Sequence, residues 1–132
     1  MADMFKLQVV TPDKEFYGGE ASMVELTTTE GQIGVYANHI PLTAIVAPGV
    51  LRIHEGSEVK KAALHAGFIE ILPDEVKILA EVAEWPDEID VRRAEEARIR
   101  AERRIKDNAA ETDTLRAEMA LKRALTRLET RQ

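Results

Sequence analysis

The amino-acid composition of this chain breaks at Pro86, and the break dictates the architecture. All seven glycines lie before it, the last being Gly67, and ten of the eleven arginines lie after it. No glycine or proline follows. Glycine and proline punctuate turns, so the first part can reverse direction often and the second only rarely. A length of 132 residues leaves room for one ordinary domain and an appendage. The sequence therefore predicts an α+β chain in two units, residues 1–86 and residues 87–132, meeting at "EWPDE", where proline holds the preceding Trp85 extended.

Before Pro86 the apolar period is close to two. "FKLQVV" alternates, as does "VKILAEV", where Val76, Ile78, Ala80 and Val82 share one face. Turn signals recur at "TPDKE", "YGG", "EGQIG", "APG", "HEGSE" and "LPDE", which gives short antiparallel strands in a β-sandwich or flattened barrel. "EGQIG" calls for Gly31 or Gly34 at positive φ. After Pro86 helix formers dominate. Asp87 or Asp90 can cap a first helix, "DNAAETD" is a polar break, and Thr112 or Asp113 can cap a second, so an antiparallel two-helix hairpin is predicted. Val91, Ala94, Ala97, Ala101 and Ile105 form the apolar stripe of the first helix. Leu115, Met119, Leu121, Leu125 and Leu128, among Ala117, Ala120 and Ala124, form a richer stripe on the second, facing its partner or the sheet. Alanines bury little area, so packing is thin and the hairpin can open.

The arginines fall on defined faces, because residues three, four and seven apart stack on a helix. Arg93, Arg100 and Arg104 share one stripe with Ala97; Arg116, Arg123 and Arg127 share another with Ala120, and neither stripe holds an acid. Glu96 can pair with Arg92 or Arg100, and Glu95 with Arg98, at about 0.2 to 0.5 kcal/mol each. Such pairing does not use up the charge. Were the hairpin to bring the stripes together, an anion such as phosphate would suit the gathered guanidiniums. Taken alone, though, a charge run of this kind reads as a solvated helix face.

Other chemistries find little support. Without cysteine there is no disulfide or thiolate metal site. His39 has no second ligand at metal spacing, His54 and His65 fall in strands, and structural roles are expected of all three. No "GxxxxGK" occurs, no catalytic residues are expected, and the chain does not read as an enzyme. Nucleic-acid binding is not expected either, since residues 87–132 carry 11 acids against 12 bases and no aromatic. The longest apolar run, "IPLTAIVAPGVLRI", is broken by Pro48 and Gly49 and falls short of the roughly 20 residues that span a bilayer. "MADMFKLQ" lacks the regions of a signal peptide, so a soluble, cytoplasmic protein is expected.

Three elements in order, "VTP", "EGQIGVYANHIPL" and "AGFIEILPDEVKILAE", resemble the sandwich of the epsilon subunit of bacterial F-type ATP synthases. "IDVRRAEEA" and "RAEMALKRALTRL" are similar to that family's helical hairpin. Ile89, Asp90, Arg93 and Ala94 match the "I/L-D-x-x-R-A" signature of the members that bind ATP. The resemblance implies a non-catalytic central-stalk subunit that couples proton-driven rotation to ATP synthesis, peripheral on the cytoplasmic face of the bacterial plasma membrane. Its implied partners are the gamma subunit, the membrane rotor ring, and the catalytic beta subunits when the hairpin extends and inhibits ATP hydrolysis. It further implies ATP as a regulatory ligand, with or without Mg2+. Ile89, Asp90 and Ala94 would meet adenine, Asp90 accepting from its amine. Glu84 would face the ribose, Arg93 would contact the nucleotide, and Arg100, Arg123 and Arg127 would hold phosphates. Glu30, Gly31 and His39 would belong to loops on the ring side. The alternative is a structural coupling subunit whose signature binds nothing.

Overall fold

The computed structural model describes residues 3–107 and 111–132, with the side chains of residues 111 and 112 left aside. Among these the chain forms β1 (Phe5–Val10), β2 (Glu15–Ala21), β3 (Met23–Thr28), β4 (Gly31–Tyr36), β5 (Leu42–Val46), β6 (Gly49–Glu55), β7 (Glu58–Ile71) and β8 (Glu75–Glu84), then a 3₁₀ turn (Pro86–Glu88), α1 (Val91–Asp107) and α2 (Glu111–Arg131). The predicted order of a β-sandwich and then two helices is what forms.

Strand alternation explains the first unit. Phe5, Leu7 and Val9 of β1 are buried, as are Val76, Ile78 and Ala80 of β8. The alternation stops at Val82, which is 41% exposed, and Leu79 between the buried positions is also exposed. Pairing is antiparallel throughout except that β1 lies parallel to β8, with Leu7 opposite Val76 and Val9 opposite Ile78. Local period cannot reveal that ladder.

The long strand β7 turns the sandwich corner. Its first half pairs with β6 and its second with β5. Pro48, which has no N–H to donate, lies between β5 and β6, and opposite this gap Ala66 and Gly67 take φ of 55° and 134°. A Cβ on Gly67 would lie 2.0 Å from the carbonyl oxygen of Leu79, so only glycine fits. Gly31, not Gly34, takes the positive φ of its turn, at 118°. "YGG" is no turn: Tyr17, Gly18 and Gly19 continue β2, with Gly19 opposite Leu7. The glycines there reflect crowding, because a Cβ on Gly19 would come within 2.8 Å of the Tyr17 hydroxyl.

The core belongs to the first unit. It runs from Phe5 to Ala80, with Trp85 packed at its margin, 4.3 Å from the Phe16 ring and stacked on it. Trp85 is extended at φ −72° and ψ 156°, as the following proline requires. Its N–H donates to Glu88 Oε1 at 2.8 Å, which closes the 3₁₀ turn and fixes where α1 starts.

The helices meet along alanines. Ala94 and Ala101 of α1 and Ala117 and Ala124 of α2 are buried, seven residues apart in each helix. The larger stripe predicted for α2 is only partly buried: Ala117 and Ala124 are buried and Leu121 and Leu128 half-buried, while Leu115, Met119 and Leu125 are exposed, because the helices meet along the alanines. Val91 is exposed as well. Among the described residues α2 lies against the sheet, on β6 and β7. Polar links hold its last turns there, from Lys61 Nζ to the Gln132 carbonyl at 3.0 Å and from Arg131 Nη1 to the Pro86 carbonyl at 2.8 Å. Thr112 and Asp113 lie inside α2 and do not precede it, so neither caps it; the predicted break falls largely on residues 108–110, outside those described.

Candidate functional site

A cleft of about 350 Å³ opens where the end of β8, the 3₁₀ turn, α1 and α2 converge. Of the residues singled out in the sequence, Glu84, Asp90, Arg93, Ala94, Arg100 and Arg127 line it. Ile89 is buried beside them and does not line the cleft. Arg123 stands one turn before Arg127 on α2 and is not among the lining residues, nor are Arg104 and Arg116. Three guanidiniums converge, fewer than the six of the two stripes. Glu88 and Ala97 also line the cleft. Ala97 could have been found, since it lies between Arg93 and Arg100 on the helix face.

Asp90 is the N-cap of α1. Its Oδ1 accepts from the Arg93 N–H at 3.1 Å, and its carbonyl accepts from the Ala94 N–H at 3.0 Å. One carboxylate oxygen therefore orders the helix while the other remains available at the cleft. Arg93 and Arg100 then follow on the same face, two turns apart. Neither has a carboxylate within ion-pair distance among the described residues, because Glu96 pairs with Arg92 at 3.5 Å and Glu95 and Glu102 pair with Arg98. The cleft is thus acidic at the helix start and basic along its first two turns.

Glu84 joins the two units. Its Oε1 accepts from His65 Nε2 at 2.9 Å and from Arg127 Nε at 2.7 Å. Burial pushes this carboxyl up, but the bonds and charges of His65 and Arg127 outweigh it and hold the group below the usual glutamate range. Arg127 spends its Nε on this bond, and its two terminal nitrogens stay available. His65 is a residue that periodicity does not find, since only the β7–β8 register, with Ala63 opposite Glu84, brings it near.

Glu30 and Gly31, expected with His39 on the side of a rotor ring, do not share a loop with it. Glu30 and Gly31 form the turn into β4, tied by Thr28 Oγ1, which donates to the Gly31 carbonyl at 2.8 Å. His39 lies past the far end of β4, beyond six residues of extended chain at about 3.3 Å each. Its Nδ1 donates to the Ile40 carbonyl at 2.8 Å.

Comparison with known proteins matches the whole described architecture. The beta-sandwich domain of the ATP synthase Delta/Epsilon chain matches residues 4–86, and the long alpha-helix domain of the same chain matches residues 87–132. The chain belongs to the ATP synthase delta/epsilon family. Among relatives in this family, the ATP synthase epsilon chain of Caldanaerobacter subterraneus subsp. tengcongensis is 44% identical over 130 residues, 98% of this chain and 94% of that one. The epsilon chain of Halalkalibacterium halodurans is 46% identical over 124 residues, 93% of each chain. Epsilon chains are non-catalytic subunits. In fold, a chain of the Euglena gracilis mitochondrial ATP synthase, solved with OSCP, F1 and c-ring, superposes with a TM-score of 0.83 at 24% identity, over 96% of this chain and 79% of that one. Among the described residues, no helix of this delta/epsilon family member is long and apolar enough to cross a membrane.

Proposed function

We propose that the chain is the epsilon subunit of an F-type ATP synthase central stalk, and that its helix pair is a sensor of ATP which restrains ATP hydrolysis when nucleotide is scarce. The observation that carries the sensing role is the cleft itself, in which Asp90 offers an acceptor at the start of α1, free guanidiniums of Arg93 and Arg100 follow along that helix, and Arg127 stands paired to Glu84. A nucleoside triphosphate has this polarity, with amino and hydroxyl donors at one end and anionic oxygens at the other. The small side chains of Ala94 and Ala97 leave the space between.

Asp90 accepts from the adenine amine, Glu84 from the ribose, and the arginines bind phosphate oxygens bidentately, with or without Mg2+. Ile89, buried beneath the cap, supports the base site from behind. Arg123 joins only by turning its side chain along α2 toward Arg127. With ATP bound the helices stay folded on the sandwich; without it they open and extend along the gamma subunit toward the beta subunits. Supporting the opening step is the alanine seam, at roughly 0.8 kcal/mol per buried methyl-sized group. The sandwich would remain on gamma and the rotor ring at the cytoplasmic face of the membrane. Its contacts there would come from two separate loops, at Glu30–Gly31 and at His39.

Calorimetry of the intact chain tests the reading. It predicts that ATP binds more tightly than GTP, whose carbonyl would meet Asp90. Absence of ATP binding at millimolar concentration would leave only a structural coupling subunit.

A further inference from the structure

His65 is 3% exposed, and its Nδ1 is a buried nitrogen without a hydrogen-bond partner. A carboxylate oxygen only accepts, so the proton sits on Nε2, which faces Glu84 Oε1 at 2.9 Å. That leaves Nδ1 as a buried nitrogen with no partner, at a cost of about 1–3 kcal/mol. An apolar side chain would fill the same space without that cost, so the ring's contribution lies in its bond to Glu84. The same Oε1 takes Arg127 Nε from the other side. One oxygen of Glu84 is therefore clamped between β7 and α2, and Oε2 has no protein partner among the described residues, in a side chain that lines the cleft.

We infer that His65 is a positioning residue of the cleft: by fixing Oε1 of Glu84 it presents Oε2 to a sugar hydroxyl of the bound nucleotide and keeps Arg127 at the mouth with two nitrogens free for phosphate. This rests on the nucleotide reading above, which gives the ribose to Glu84, and adds the residue that positions that carboxylate. The ligand class is a ribonucleoside triphosphate, told from its deoxy analogues by a hydroxyl that donates to a prepared acceptor. A site built to bond a hydroxyl rejects the analogue that lacks it, because the acceptor is then left unpaired.

The test compares the intact wild-type chain with His65→Gln, whose amide nitrogen can reach the place of Nε2, with His65→Leu, which has no donor, and with His65→Asn, whose donor falls short. Calorimetry is run with ATP, 2′-deoxy-ATP and 3′-deoxy-ATP, and the Arg127 Nε–H resonance is followed by NMR without nucleotide. Wild type is expected to favour ATP over at least one deoxy analogue by about tenfold or more. His65→Gln should keep most of that ratio, while His65→Leu and His65→Asn should bring it toward one and lose the protected Arg127 signal. Should His65→Leu fail to fold, His65→Asn decides. A preference unchanged in the Leu and Asn variants, with ATP still bound, would overturn the role of His65 and spare the nucleotide reading. No ATP binding by the wild type would remove both, and the two failures are thereby told apart.

Discussion

Asp90 carries two duties that a single substitution would confuse. It caps α1 through Oδ1, and caps of this kind contribute about 1 kcal/mol. Its other oxygen is assigned to the adenine amine. Asp90→Ser retains a cap but cannot reach the base, so α1 should keep its stability while the preference for ATP over GTP flattens; a preference that survives in Asp90→Ser would take the base edge away from this residue. Glu84 adds a pH dependence. Its folded carboxyl is held below the usual range, so its bonds to His65 and Arg127 contribute stability that is present above the ordinary glutamate value near 4.3 and lost as pH falls through the lower folded value. The melting temperatures of wild type and Glu84→Gln should therefore differ at neutral pH and converge in acid, whereas parallel curves would show that the ionised Glu84 does not stabilise the fold. At this scale the sequence reveals what lies on one helix. Arg93, Ala97 and Arg100 on one helix and Arg127 on the other follow from spacing, while the roles of Asp90 and Glu84 come through the family resemblance and His65 comes from neither. Glu84, His65 and Arg127 are separated by 19 and 43 residues, and only strand register and helix docking bring them together.

Among the elements, the helix pair is the one whose packing departs from the expected pattern. A leucine-rich stripe on α2 suggests a greasy seam, yet the apolar residues buried in the two helices are Ala94, Ala101, Ala117 and Ala124, with Leu121 and Leu128 only half-buried. Hydrophobic pattern gives an amphipathic face but not which part of it meets a neighbour, and small residues allow the approach that leucines would block. Ala101→Leu should then overpack the seam by about 1–3 kcal/mol and separate the helices while the sandwich melts unchanged. Separate melting of the two units, followed by helix and tryptophan signals, would check it. A helix pair as stable as wild type would mean that the seam has room and that its thinness is not what lets it open. The strands were easier to read, because Leu7, Val9, Val76 and Ile78 alternate in the chain as they do in the sheet. The corner at Ala66–Gly67 and the parallel β1–β8 ladder were not, since both depend on partners far along the chain.

The whole molecule divides where its composition does. Every member of the buried core cluster precedes Pro86, and α2 packs on β6 and β7 with polar links from its end to Lys61, Glu84 and Pro86. Removing residues 88–132 should leave a sandwich that unfolds cooperatively; loss of that transition by calorimetry would show that α2 is part of the core. A unit attached in this way is suited to a ligand-controlled switch. A ligand that binds only the folded pair raises its opening free energy by RT ln(1 + [L]/Kd), about 4 kcal/mol at roughly 1,000 times the dissociation constant. Hydrogen exchange at the buried amides of Ala94, Ala101, Ala117 and Ala124 reads that quantity directly, with and without ATP, in the intact chain. Binding in the cleft predicts that exchange slows by the factor 1 + [L]/Kd in wild type, and far less in Arg93→Ala, whose lost contact to phosphate is worth about 1.5–3 kcal/mol. Exchange at these four amides that is the same with and without millimolar ATP would contradict it.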